Sequence, residues 1–213
     1  MALWYRCVVE PTRLIVYSDY LCPWCYLGAT RLQRVQEEFG ARVQVEWRSF
    51  LLRPQPDPRR TLEKFRAYTR SWERPAAEPD APLFRAWDSD AGPPTHSIPP
   101  HLVAKAAATF GDAAFARMHE RLLRAYFGEN RDITDPGTLS ALWREIGLAA
   151  EDFARASDPA LLQQVLAQHN EAIEHDVTGV PAVRMEGREG VVVGAQPIEL
   201  YQRWIDRALQ SRL

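Results

Sequence analysis

The chain is 213 residues long, 46% hydrophobic and 25% charged, with a formal net charge of −2. A chain of that size buries a real core without disulfide staples, either as one domain or as a domain carrying a large insertion. The near-neutral charge gives no electrostatic case for nucleic acid or a membrane surface as a partner.

The first ten residues lack the basic stretch, apolar run and small-residue cleavage site of a secretory leader. No segment approaches the roughly 20 apolar residues that span a bilayer. A cytoplasmic location is therefore expected, where a disulfide is transient rather than structural. Leu14, Ile15, Val16 and Tyr17 read as a short buried strand. Residues 18–21 lead from it into Cys22-Pro23-Trp24-Cys25. An amphipathic helix follows over 26–39, with Leu27, Leu32, Val35 and Phe39 near one face, Arg31, Arg34, Gln36 and Glu38 largely outside it, and Gly40 as its stop. Val43, Val45, Trp47 and Ser49 then alternate with Gln44, Glu46, Arg48 and Phe50, which predicts a second strand. The right-handed crossover rule makes it parallel to the first.

Beyond residue 53 prolines cluster at 54, 56 and 58, at 75, 79 and 82, and at 93, 94, 99 and 100, which forbids long helices and central strands. Residues 61–72 hold a helix with Thr61 as its N-cap, and the rest reads as a loop region pinned by aromatics such as Phe84 and Trp87. Helices follow over 101–110, 113–127, 136–146 and 159–175, the third announced by Thr134-Asp135-Pro136. Residues 181–185 read as a strand, 186–190 as a turn and 191–193 as its hairpin partner. Pro197 opens a last helix carrying Leu200, Tyr201, Trp204, Ile205 and Ala208 at helical spacing. The order is βαβ, a helical insertion over 54–173, then ββα, with residues 1–53 and 174–213 forming the two parts of the sheet-bearing domain.

The cysteine motif carries the chemistry. A cysteine opening a helix receives the free backbone N–H groups and the positive end of the helix dipole, which favours thiolate over thiol. Cys22 is thus the candidate nucleophile, and Cys25, one turn on, the candidate resolving thiol. The same residues also suit a zinc half-site or inert buried cysteines. Zinc needs four ligands, while Cys7 is the one other cysteine, and His96, His101, His119, His169 and His175 include no pair at helical i, i+4 spacing. These histidines read as surface or packing residues. Asp19, three residues before Cys22, is either a proton acceptor or, as local side-chain bonding favours, a cap for its own loop.

Ser18-Asp19-Tyr20-Leu21-Cys22-Pro23-Trp24-Cys25-Tyr26-Leu27-Gly28, the run from Trp47 to Pro54, the 127–135 stretch with Arg131-Asp132-Ile133, Gly179-Val180-Pro181, and Gly194-Ala195-Gln196-Pro197 occur in this order. Together they resemble the DsbA family, in its FrnE-like branch. The resemblance implies an α/β, thioredoxin-like fold with a mixed four-stranded sheet and a large helical insertion. It implies Cys22 as nucleophile, Cys25 as resolving cysteine, and Pro181 as a cis-proline facing them; Pro23, Trp24, Val180 and Pro181 are the candidate substrate-binding residues, with Trp24 either substrate-facing bulk or cover for the motif. A Val180 backbone beside the sulfurs would pair in β fashion with an extended substrate segment.

The expected function is a thiol–disulfide oxidoreductase acting on protein or low-molecular-weight thiols and disulfides. It needs no dissociable cofactor, with glutathione as a possible co-substrate, and no metal. The alternative is a glutathione-linked isomerase or transferase of the hydroxychromene-carboxylate isomerase or kappa-class type. Those usually carry serine where this chain has Cys22. A third reading is a non-catalytic peptide-binding module that needs no cysteine chemistry.

Overall fold

The computed structural model describes residues 10–211. The central strand β1 (Thr12–Ser18) pairs in parallel with β2 (Val43–Ser49), placing Ser18 opposite Ser49. It pairs antiparallel with β3 (Ala182–Met185) on its other side, and β4 (Val192–Val193) adds to β3. The sheet order is β2-β1-β3-β4. Leu14 and Val16 pack on one face with α1 (Pro23–Phe39) and α8 (Ile198–Gln210) through Leu32, Val35, Tyr201 and Ile205. Ile15 and Tyr17 pack on the other face with Phe50, Ala172 and Val177. Burial on both faces explains the unbroken apolar run in β1.

Between β2 and β3 lie α2 (Leu62–Thr69), α3 (Glu73–Ala76), α4 (Ile98–Ala108), α5 (Asp112–Phe127), α6 (Pro136–Glu145) and α7 (Pro159–Glu174). Their core is aromatic, built on Phe65, Trp72, Trp87, Tyr126, Phe127 and Trp143, and Tyr20, Leu21, Tyr26 and Ala29 from the sheet-bearing part belong to it. The cysteine segment therefore sits where the two parts share apolar packing. Thr61 caps α2 by accepting from the Lys64 N–H at 3.3 Å, and Asp135 caps α6 by accepting from the Thr138 N–H at 2.7 Å.

Several local expectations are corrected. The single helix expected over 61–72 breaks after Thr69 into a 3-10 turn, Arg70–Trp72, and the short α3. Helix α4 begins at Ile98, ahead of the expected start, because Pro99 and Pro100 occupy its first turn, where a missing N–H costs no helical hydrogen bond. A 3-10 segment, Ala150–Ser157, has no counterpart in the sequence reading. Arg31, expected outside the apolar face of its helix, is only 3% exposed. Its guanidinium meets Asp80 through both Nε and Nη2, Glu78 at 2.7 Å and the Ala195 carbonyl at 2.8 Å. Two carboxylates make the burial of this charge tolerable.

The outer edge of β2 is met by side chains. Lys105 donates to the Trp47 carbonyl at 3.2 Å, Gln168 accepts from the Ser49 N–H at 2.9 Å, and His169 accepts from the Leu51 N–H at 3.2 Å.

Candidate active site

Cys22 is the N-cap of α1, in extended conformation, and Pro23 takes the first helical position. Proline is preorganised for that position and lacks an N–H that would otherwise go unpaired. The Cys22 carbonyl accepts from the Cys25 N–H at 3.0 Å and the Tyr26 N–H at 3.4 Å. These bonds bring the two thiols, both free, to neighbouring positions on one turn. Trp24, between them, points outward and is 36% exposed.

Cys22 Sγ donates to the Val180 carbonyl at 3.4 Å. The Val180–Pro181 peptide bond is cis. Pro181 packs on α1 at Gly28, where a Cβ would lie 2.9 Å from Pro181 Cγ. The structure thus brings Cys22, Cys25, Val180 and Pro181 together, with Pro23 buried in the first helical turn and Trp24 at the rim. Cys7 lies outside the described residues.

Cys25 is wholly buried. Burial first, and then the neighbouring Cys22 thiol, hold its thiol well above the usual cysteine range, opposed by the Ser18 hydroxyl and the Asp19 N–H. That N–H lies 3.5 Å from Cys25 Sγ.

The Asp19 carboxylate is fully buried and accepts from the Leu21 N–H at 2.6 Å and the Leu52 N–H at 2.7 Å. Burial pushes its carboxyl up, against the lowering effect of Ser97, these two N–H groups and Arg53. Of the two roles read from sequence, the structure displays the cap. Asp19 fixes the loop before Cys22 and ties it to the segment after β2.

Sequence reasoning did not single out the cationic wall beside this site. Arg53, Arg59, Arg60, Lys64, Phe65 and Tyr68 line an open pocket of about 440 Å³, with Asp57 also on its wall. Asp57 pairs with Arg59 at 3.0 Å, and Arg60 lies over the Phe65 ring. Tyr68 is half-exposed, and its hydroxyl lies within electrostatic reach of Cys22. The sequence signal was Arg59-Arg60 before α2, followed by Lys64 and Tyr68 at i, i+4 on one face.

Among the described residues, no group of three or more His, Cys, Asp or Glu side chains is arranged to hold a metal ion, and no helix is long and apolar enough to cross a membrane.

Comparisons with known proteins agree with this fold. The chain is 27% identical to the Bacillus subtilis (strain 168) protein YwbO over 198 residues, which covers 89% of this chain and 94% of that one. The crystal structure of probable DsbA oxidoreductase SCO1869 from Streptomyces coelicolor shares 29% identity at a TM-score of 0.75, covering 95% of this chain and 92% of that one. Cytosolic disulfide reductase DsbM from Pseudomonas aeruginosa shares 24% identity at a TM-score of 0.74, covering 93% and 98%, and has also been solved with GSH. A 2-hydroxychromene-2-carboxylate isomerase shares the fold at 17% identity and a TM-score of 0.63, covering 94% of this chain and 97% of that one. A thioredoxin sheet with a helical insertion, a cysteine pair opening its first helix and a family model matched over residues 13–206 together show that the chain belongs to the DSBA-like thioredoxin domain family.

Proposed function

We propose that the protein is a thiol–disulfide oxidoreductase in which Cys22 attacks and Cys25 resolves, working in the cytoplasm on acidic low-molecular-weight thiols such as glutathione and on extended protein segments. The observation that carries this reading is the placement of Cys22 at the N-terminus of α1, against Val180, with a free Cys25 buried behind it. In the reducing direction the Cys22 thiolate attacks one sulfur of a substrate disulfide, and the second substrate sulfur leaves with the bonding electron pair. Cys25 then gives up its proton, its sulfur bonds to Cys22 Sγ, and the first substrate sulfur departs as thiolate. The protein ends as the Cys22–Cys25 disulfide, two electrons poorer, and a reduced dithiol restores it.

The pocket walls suit carboxylate-bearing thiols, since Arg53, Arg60 and Lys64 supply cations around Tyr68, the lining residue within electrostatic reach of Cys22. Exposed Trp24, Leu52 and Tyr68 add apolar surface on segments tied to the cysteine loop, and the Val180 backbone stands where an extended chain would pair. DsbM, solved with GSH, supports glutathione as co-substrate.

A glutathione redox titration of wild type, Cys22→Ser and Cys25→Ser, with a disulfide-reduction assay alongside, tests the reading. A reversible two-electron transition lost in both variants, with turnover dependent on Cys22, is expected. No reversible transition in the folded protein, or turnover indifferent to Cys22, would overturn it and turn the search to the glutathione-linked isomerase chemistry whose fold this chain shares.

A further inference from the structure

Cys25 must lose a proton before it can resolve a mixed disulfide, yet none of its surface reaches solvent. Ser18 directly precedes Asp19, whose N–H lies 3.5 Å from Cys25 Sγ, and its hydroxyl is the side-chain oxygen that opposes the upward push of burial on the Cys25 thiol. Ser18 stands opposite Ser49 in the β1–β2 register, and both line a small pocket of about 10 Å³, on the order of the least space that accommodates one water.

Tyr20, Arg48, His101, Lys105 and His119 complete its polar wall. The Tyr20 hydroxyl is bonded to His119 Nδ1 at 2.9 Å. Three buried atoms there, Ser49 Oγ, His101 Nε2 and His119 Nε2, have no hydrogen-bond partner in the protein. Their residues are 1%, 4% and 8% exposed. Three orphaned polar atoms around a space of one water's size satisfy the usual conditions for a structural water. The same Lys105 and His119 also line a larger cavity of about 500 Å³ bounded by α1, α4, α5 and β2, so the small pocket backs onto an outward-facing one.

We propose that a water held by Ser49, His101 and His119, together with the Ser18 and Ser49 hydroxyls, is the route by which the Cys25 proton leaves the interior. This inference rests on the oxidoreductase reading. As Cys25 Sγ bonds to Cys22 Sγ, the Cys25 proton passes to Ser18 Oγ, the Ser18 hydroxyl proton passes to Ser49 or the water, and the water releases one proton into the larger cavity beside Lys105. The electron pair left on Cys25 forms the new S–S bond, the substrate sulfur takes the pair of the bond that breaks, and the net product is one proton delivered to solvent.

The charged and titratable groups facing this route are Asp19 and Tyr20 from the cysteine loop, Glu46 and Arg48 from β2, His101 and Lys105 from α4, His119 from α5 and His169 from α7. Both histidines are neutral in this setting, so they hold and orient the water rather than store its proton.

The test uses the reduced protein and 5,5′-dithiobis(2-nitrobenzoate) in rapid mixing. The first thionitrobenzoate released reports attack by Cys22, and the second reports resolution by Cys25. Ser18→Ala and Ser49→Ala should each slow the second release by roughly tenfold or more and leave the first within twofold. Ser18→Thr, which keeps the hydroxyl, should restore the second. The wild-type second release should depend on deuterium content with a bowed proton inventory, as a relay of more than one proton requires. A second release within twofold of wild type in both alanine variants overturns the proposal, as does an equal fall of both releases. If one alanine variant does not fold, the other decides. Absence of any second release from wild type would strike the oxidoreductase reading itself, a result distinct from failure of the relay.

Discussion

Gly28 and Pro181 touch so closely that no side chain fits between them: a Cβ on Gly28 would stand 2.9 Å from Pro181 Cγ. The approach brings the turn carrying both cysteines against the segment that carries Val180. Gly28→Ala must therefore push the helix and the proline ring apart, since the ring has no flexible end to yield. The expected cost is about 1–3 kcal/mol, read as a lower denaturant midpoint, with slower attack of Cys22 on a model disulfide. A wild-type midpoint would show that the contact relaxes freely.

Arg31 supplies a second tie. Its side chain is almost wholly buried against Asp80, with Glu78 on the rim, and it reaches the Ala195 carbonyl before α8. Arg31→Met leaves Asp80 to the half-exposed Arg34, 3.7 Å away, and should cost about 3 kcal/mol. Asp80→Asn, which keeps a hydrogen-bond acceptor, should cost less, and a double-mutant cycle measures the coupling. Hydrogen bonding to Arg31 holds the Asp80 carboxyl below its usual range. Its stabilisation is therefore present above the ordinary carboxylate range and is lost as pH falls through the lowered folded value.

The buried histidines predict an acid-sensitive core whose pH dependence has the same sign as that of Asp80, with burial rather than an ion pair as its cause. Burial, followed by the Lys105 charge, lowers both His101 and His119 from 6.5 to about 3. Above pH 6.5 neither state carries the proton and the two residues cost nothing. Below it the unfolded chain takes protons that the folded chain refuses, so stability falls between about 6.5 and about 3. For one such histidine the loss between pH 6.5 and 5 is about 2 kcal/mol. Urea midpoints at pH 7 and pH 5 check this, and the gap between them should narrow in His119→Phe. An unchanged gap would mean His119 is protonated in the fold.

The cationic wall predicts substrate discrimination. Lys64→Glu and Arg60→Glu should raise the KM for oxidised glutathione several-fold, in a manner that weakens with added salt, while leaving 2-hydroxyethyl disulfide, which has no carboxylate, nearly unaffected. Equal losses on both substrates would place the effect on the cysteines rather than on charge recognition.

Asp19→Ala would leave the Leu21 and Leu52 N–H groups without their acceptor. A cost of about 3 kcal/mol is expected, with Cys22 reactivity changed through loss of loop order. Hydrogen exchange at those two amides, slow in wild type and fast in the variant, is the direct measurement.

What was legible in the sequence followed short-range physics. The apolar run of β1, the alternation of β2, Gly40 after α1, and Thr61 and Asp135 as caps each carry their signal within a few residues. The cysteine motif, Val180 and Pro181 were legible through their order along the chain. Arg31 was not, because its carboxylate partners lie 47 and 49 residues away in a proline-rich stretch that reads as loop. His101 and His119 gave no sign of pointing at a common pocket, since they come from different helices and meet only through Tyr20 on the cysteine loop. The pocket cations escaped notice because a basic pair next to prolines has the look of a solvated turn.

The side chains that meet the outer backbone of β2 have a consequence for how the molecule meets others. With Lys105 on the Trp47 carbonyl, Gln168 on the Ser49 N–H and His169 just beyond, the C-terminal end of that margin has backbone groups already engaged from within the chain. An incoming extended peptide finds the ladder interrupted at that end. Under the proposed function, the inserted helices therefore obstruct main-chain docking at that end of β2 and favour strand-like recognition at the Val180 turn, where the sulfurs lie.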